Sequence, residues 1–207
     1  FGSPLGGLAV LESLHPKLHA TSGPWCGNVL EGAIRTLLSP SRGLLIFSPW
    51  VVLGLLSLPL VVRRLPSDSV LGWLLAALVP FGVLLSKYSV WWGGHCFGAR
   101  YWTEAVPLLA IPLAFGLDAA IRRGGRAVMP FAVAIVAAMA VQTIGAACFP
   151  STWCMRPSNV DIDHARLWDW NDSELTRCLA EGPNFRLRRV LARAGLVSRK
   201  AAPTRRA

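Results

Sequence analysis

The sequence predicts an all-α, polytopic membrane fold of about four spans, with extracytoplasmic loops and a short helical or disordered basic tail. Three observations carry that reading. Of 207 residues, 53% are hydrophobic and only 15% charged, with a mean hydropathy of +0.46, whereas a soluble surface calls for about a quarter charged residues. Stretches 43–62, 69–86, 105–117 and 127–155 carry no charge at all, and lipid is the natural solvent for such runs. The net charge of +10 is gathered in a basic tail beyond 157 and in two short turns, Arg63-Arg64 and Arg122-Arg123 with Arg126. Placed there it reads as a topology signal and a tail, not as a nucleic-acid surface, and no nucleic-acid partner is expected.

Residues 1–43 read as an extracytoplasmic loop rich in Gly, Pro and Ser. The opening Phe1-Gly-Ser-Pro-Leu-Gly-Gly lacks the basic and then apolar regions of a signal peptide, so the expectation is a chain that starts mid-protein, with N-terminal transmembrane segments missing from it. Within the loop, 28–38 predicts a short amphipathic helix with Val29, Ile34, Leu37 and Leu38 near one face, ended by Ser39-Pro40.

A transmembrane domain is expected over 44–149. Its first span, 44–62, is about 28 Å long, which matches a hydrocarbon core of about 30 Å. The second, 70–85, is short, with Pro80 predicting a kink. The third, 105–121, carries Pro107, Pro112 and Asp118, the last at ion-pair spacing from Arg122 near the helix end. The fourth, 127–149, is rich in small residues (Ala132, Ala134, Ala137, Ala138, Ala140) suited to close packing. Residues 150–207 read as an extramembrane tail.

Orientation follows from the loops. The turns at 63–69 and 122–126 hold five arginines, whereas the 86–104 connection holds only Lys87 and Arg100, so the arginine turns are expected inside and the 1–43, 86–104 and 150–207 segments outside. Cys26, Cys96, Cys148, Cys154 and Cys178 then lie at or beyond the outer face, where disulfides are permitted. Sequence leaves their pairing open. No CxxC motif and no Cys/His spacing of a zinc site occurs, so neither a metal nor a cofactor is expected.

The segment from Lys87 to Glu104, joining two spans outside, concentrates the chemistry. Trp91, Trp92, Tyr101 and Trp102 suit a membrane interface or stacking on a sugar. Gly93, Gly94 and Gly98 permit tight turns that leave amide N–H groups open to an anion. Arg100 is a permanently charged fork for phosphate, or else a residue snorkelling to headgroups. His95 and Glu104 have acid–base capacity, set against plain surface polarity for the histidine and helix capping for the glutamate.

Four motifs in order, Phe1-Gly-Ser-Pro-Leu5, Leu38-Ser-Pro-Ser-Arg-Gly-Leu-Leu-Ile-Phe-Ser-Pro-Trp50, Trp92-Gly-Gly-His-Cys-Phe-Gly-Ala-Arg-Tyr-Trp-Thr-Glu104 and Arg166-Leu-Trp-Asp-Trp-Asn-Asp172, resemble the C-terminal half of bacterial multi-pass membrane proteins. These are of the GT-C class of glycosyltransferases, the dolichyl-phosphate-mannose protein mannosyltransferase-like group. The resemblance implies inverting transfer of a sugar from a polyprenyl-phosphate donor to an outward-facing acceptor, at the bacterial inner (plasma) membrane. It places Trp92, Gly93, Gly94, Arg100, Tyr101 and Glu104 around an outward pocket, with Arg100 on the anionic donor, and His95 joins Trp92, Arg100, Tyr101 and Glu104 as a candidate substrate-binding residue. The family's catalytic carboxylate lies in an outward loop upstream of the resembled part, so no catalytic residue is named here. The alternative is a non-catalytic multi-pass membrane protein or transporter-like subunit.

In the tail, Asp161, Asp163 and His164 read as a solvated turn, since two aspartates need further ligands to hold a hard cation. Asp172 or Ser173 predicts the cap of a helix running through Cys178. From 185 to 202, Leu187, Val190, Leu191 and Val197 alternate with five arginines, the pattern of a basic helix on anionic lipid or of disorder. Membrane lipids are thus expected partners.

Overall fold

A computed structural model describes residues 23–66, 69–149, 152–183 and 187. The expected readings of 1–22 and of the basic 185–202 stretch, Leu187 apart, lie outside the described residues. Those described form helices, turns and loops, with no strand among them.

Helix α1, Val29–Leu38, is capped by Asn28, whose side chain accepts from the Leu30 and Glu31 amides. It ends at Ser39, which turns extended ahead of Pro40, as the clash of a proline ring with the preceding residue requires. Its expected apolar face is not the buried one. Val29, Ile34 and Leu38 are exposed, and Gly32 and Thr36 face inward. The reason is close approach: a Cβ on Gly32 would lie 1.8 Å from the Ser86 carbonyl oxygen, so the helix docks through its smallest residue.

The expected span 44–62 is broken into α2, Leu44–Phe47, and α3, Trp50–Arg64, because Ser48 precedes Pro49 and leaves helical geometry. The run Val70–Lys87 divides into α4, Val70–Ala76, and α5, Leu78–Lys87. This is the kink expected at Pro80, whose ring conflicts with the carbonyl four residues earlier. Helix α6 is Val106–Arg123 and α7 is Gly125–Cys148. Between them Gly124, at φ +106°, makes a turn that a side chain would strain.

Helices α3 and α6 pack side by side and in the same direction. Near their starts Gly54 faces the Leu109 carbonyl; midway a Cβ on Gly116 would fall 2.0 Å from Ser57 Oγ. At their ends Arg64 pairs with Asp118 at 3.2 Å. The buried α6 residues Leu109, Pro112, Gly116 and Ala120 form one stripe, and small residues on both helices permit the approach. Of the small residues expected to pack on the fourth span, Ala138 is buried and Ala134 and Ala137 are half-buried, whereas Ala132 and Ala140 are exposed. Helix α7 buries Phe131, Ala138, Gly145 and Cys148.

Two helical segments, Val70–Lys87 and Gly125–Cys148, are long and apolar enough to cross a membrane, with only 6% and 11% of their apolar windows buried. Such exposure weakly suggests membrane association, because a soluble core helix would be covered. The parallel α3–α6 pair brings Arg63, Arg64, Arg122 and Arg123 to one end of the bundle. At the other end Phe97 packs edge-on against Phe47, 5.1 Å between ring centres, and fills the space beside Gly145.

Candidate functional site

Segment 152–183 does not hang free as a tail. It folds back on the 88–98 loop, and Val90, Trp91 and Trp92 share a core with Trp153, Cys154, Val160 and Leu167. We call this layer the cap. Trp153, fully buried, lies between two guanidinium groups, Arg42 at 5.3 Å and Arg166 at 5.0 Å from the ring centre, each a cation–π contact. Arg166 is further held by the carbonyls of Trp153, Arg156 and Ser158 and by Asp172. Helix α8, Glu174–Glu181, starts where Ser173 accepts from the Thr176 amide, matching the expected cap.

At the cap's centre Arg42 donates to the carbonyls of Trp92 (2.9 Å), Ser41 (2.8 Å) and Gly94 (3.3 Å) and forms a buried ion pair with Glu174. The same Glu174 oxygen, Oε2, accepts from the Gly98 amide at 3.1 Å, while Oε1 is buried with no hydrogen-bond partner among the described residues. Burial pushes the Glu174 carboxyl up to about 7, with Arg42 and the Gly98 amide pulling the other way. Burial likewise raises the thiols of Cys96 and Cys154 against the pull of Arg42. All five cysteines are free thiols.

The sequence-derived candidates fall into two groups. Trp92 is buried; its indole N–H donates to Asp161 at 2.8 Å and its ring stacks on His164, so it belongs to the cap core. His95 is exposed, and its Nε2 faces Asp161 at 3.0 Å and Asn159 at 3.3 Å. With two oxygens before it, Nε2 carries the proton and leaves Nδ1 as the acceptor. Asp161, placed by sequence in a solvated turn, thus serves both Trp92 and His95.

Arg100 sits in a 3-10 turn, Arg100–Trp102, at the entrance to α6. It is exposed, and among the described residues its side chain makes one hydrogen bond, a long 3.5 Å contact to the Gly93 carbonyl. Tyr101 packs edge-on to Tyr88 at 5.6 Å, and burial raises its phenol well above the usual value, so it stays a proton donor. Trp102 packs on Phe81, and its buried indole N–H has no partner among the described residues. Arg42, Trp91, Trp92, Arg100, Tyr101 and Trp102 line one narrow cleft of about 10 Å³, room for about one water. Glu104 is exposed beyond it.

No family model, curated protein or solved structure matches the chain. Among the described residues no group of three or more His, Cys, Asp or Glu could hold a metal ion. The Arg42–Glu174 pair is the feature that residue-by-residue reading missed. Its only sequence signal is an arginine at the edge of an apolar run and a glutamate opening a capped helix, with nothing to join them.

Proposed function

We propose that the chain is the C-terminal membrane portion of a GT-C-like glycosyltransferase using a polyprenyl-phosphate sugar donor. In this reading α2–α3, α4–α5, α6 and α7 make four passes through a bacterial inner membrane, and the cap faces outward. The missing N-terminal transmembrane segments complete the pocket and supply the catalytic carboxylate.

The observation that carries the reading is the state of Arg100. A guanidinium fork at the junction of cap and α6, with no carboxylate partner and one weak carbonyl contact among the described residues, is poised for a phosphate. Its neighbours suit the task. Tyr101, held protonated by burial and by its hydrogen bond with Tyr88, lines the same cleft as Arg100, and in this reading the pair faces the charge that develops on a leaving phosphate. In the complete protein Arg100→Ala should lower transfer or donor binding by about 10²-fold, the loss typical of one transition-state donor, with insertion unchanged. Arg100→Lys should restore only part, since a point charge does not replace the fork. Undiminished turnover in Arg100→Ala would reduce the residue to a lipid anchor.

A further inference from the structure

The cleft that Arg100 lines has a second arginine in its wall. Arg42, from the turn after α1, borders the same narrow space, yet its guanidinium is spent inward, on the carbonyls of Trp92, Ser41 and Gly94 and on Glu174. Both members of that ion pair are out of water, with side-chain exposures of 2% and 0%. Their charges therefore act on the cleft through protein, where screening is weak. Glu174 faces Arg42 from the turn, Cys96 and the Gly98 amide from the 88–98 loop, and Cys154 from the 152–183 segment. The other nearby arginines are engaged elsewhere: Arg166, across the Trp153 ring from Arg42, with Asp172, and Arg177 with Asp172 and Glu181.

Ionised, Glu174 cancels the charge of Arg42; protonated, it leaves that charge uncompensated in the cleft wall. We infer that Glu174 is a proton-operated control on anion binding at Arg100, the cleft holding its anion more tightly when Glu174 carries a proton than when it does not. The inference deepens the reading of Arg100 as a phosphate site and rests on it. The pair is built for the change of state. Oε1 is buried with no hydrogen-bond partner among the described residues, so a proton taken from solvent breaks no bond there, and Oε2 keeps the Gly98 amide. Burial pushes the carboxyl up to about 7, so both states are populated near neutral pH. Because linkage is reciprocal, an anion on Arg100 in turn draws a proton onto Glu174. A unit charge about 10 Å from an anion, at an effective dielectric of about 20, changes its affinity on the order of tenfold.

The test uses the complete protein in neutral detergent, with hexahydrofarnesyl sulfate as a probe whose charge does not titrate, and calorimetry as the measurement. Affinity should fall about tenfold as pH rises from about 5.5 to about 8.5. Near pH 7 the heat should vary with the ionisation enthalpy of the buffer, because binding takes up part of a proton. Glu174→Gln, neutral at every pH, should bind at the tight level throughout and lose the buffer dependence. His95→Gln should keep the slope whatever it does to the affinity, which separates the buried carboxyl from the exposed imidazole on the same loop. If Glu174→Gln does not fold, the wild-type profile, the buffer dependence and His95→Gln still decide. Binding that depends on Arg100 but is flat in pH, a slope that persists in Glu174→Gln, or one that disappears in His95→Gln overturns the control and leaves Arg100 as the anion site. No binding, or binding that Arg100→Ala does not weaken, overturns that site and the control together.

Discussion

The chemistry of single residues in the cap turns on Arg42 and Glu174. Two charges have left water, and the pair is held by carbonyls and an amide as well as by mutual attraction. Removing one partner strands the other, so Arg42→Ala should cost about 3–5 kcal/mol. Glu174→Gln should cost less, because Arg42 keeps its three carbonyl acceptors. The sign of the pH dependence follows from the shift. Glu174 moves from an ordinary 4.5 to about 7 in the folded cap, so the native state binds the extra proton between those values and stability is lost as pH rises through them. Protease resistance of the cap should therefore fall from pH 4.5 to 7 and then level off. In Glu174→Gln that slope should vanish; a slope persisting there would assign the titration to another group.

At the scale of elements, glycines decide which helices touch. Gly116 meets Ser57 and Gly32 meets Ser86 at distances no side chain tolerates, so Gly116→Val and Gly32→Ala should each destabilise by about 1–3 kcal/mol through overpacking. Gly125→Ala, with nothing near its Cβ position, should be close to neutral. Thermal unfolding in detergent would compare the three, and a neutral Gly116→Val would refute the α3–α6 crossing. Helix existence was legible in the sequence because apolar runs, prolines and caps act locally. The Pro80 kink, the Ser39 stop and the Ser173 cap all declare themselves within four residues. The face each helix buries was less legible. On α1 the apolar residues suggest one face and Gly32 another, because the closest approach is set by the smallest residue. The candidate site divides the same way. Arg100 and Tyr101 are adjacent in sequence and line one cleft, whereas Arg42 joins that cleft from a distant segment and His95 meets Asp161 only through the folded cap.

The whole molecule is polar in the sense of having two unlike ends. One gathers the cap, the carboxylates of Asp161 and Glu174, and the exposed thiol of Cys26. The other gathers Arg63, Arg64, Arg122, Arg123 and Arg126 with Asp118 among the described residues. The parallel run of α3 and α6 produces this separation, since each leads from the cap to an arginine turn and the following α4–α5 or α7 returns. Arginine-rich short turns stay on the cytoplasmic side during insertion, so the cap should face outward. In intact cells a membrane-impermeant maleimide should label native Cys26, and Cys26→Ser should remove most of that labelling, because the other four thiols are buried or half-buried. Gly125→Cys placed in the Cys26→Ser background should stay unlabelled until the membrane is permeabilised. Labelling of Gly125→Cys from outside, with Cys26 protected, would invert the molecule. The Arg100 face would then meet the cytoplasm, and the outward sugar transfer proposed for it would fall with the orientation.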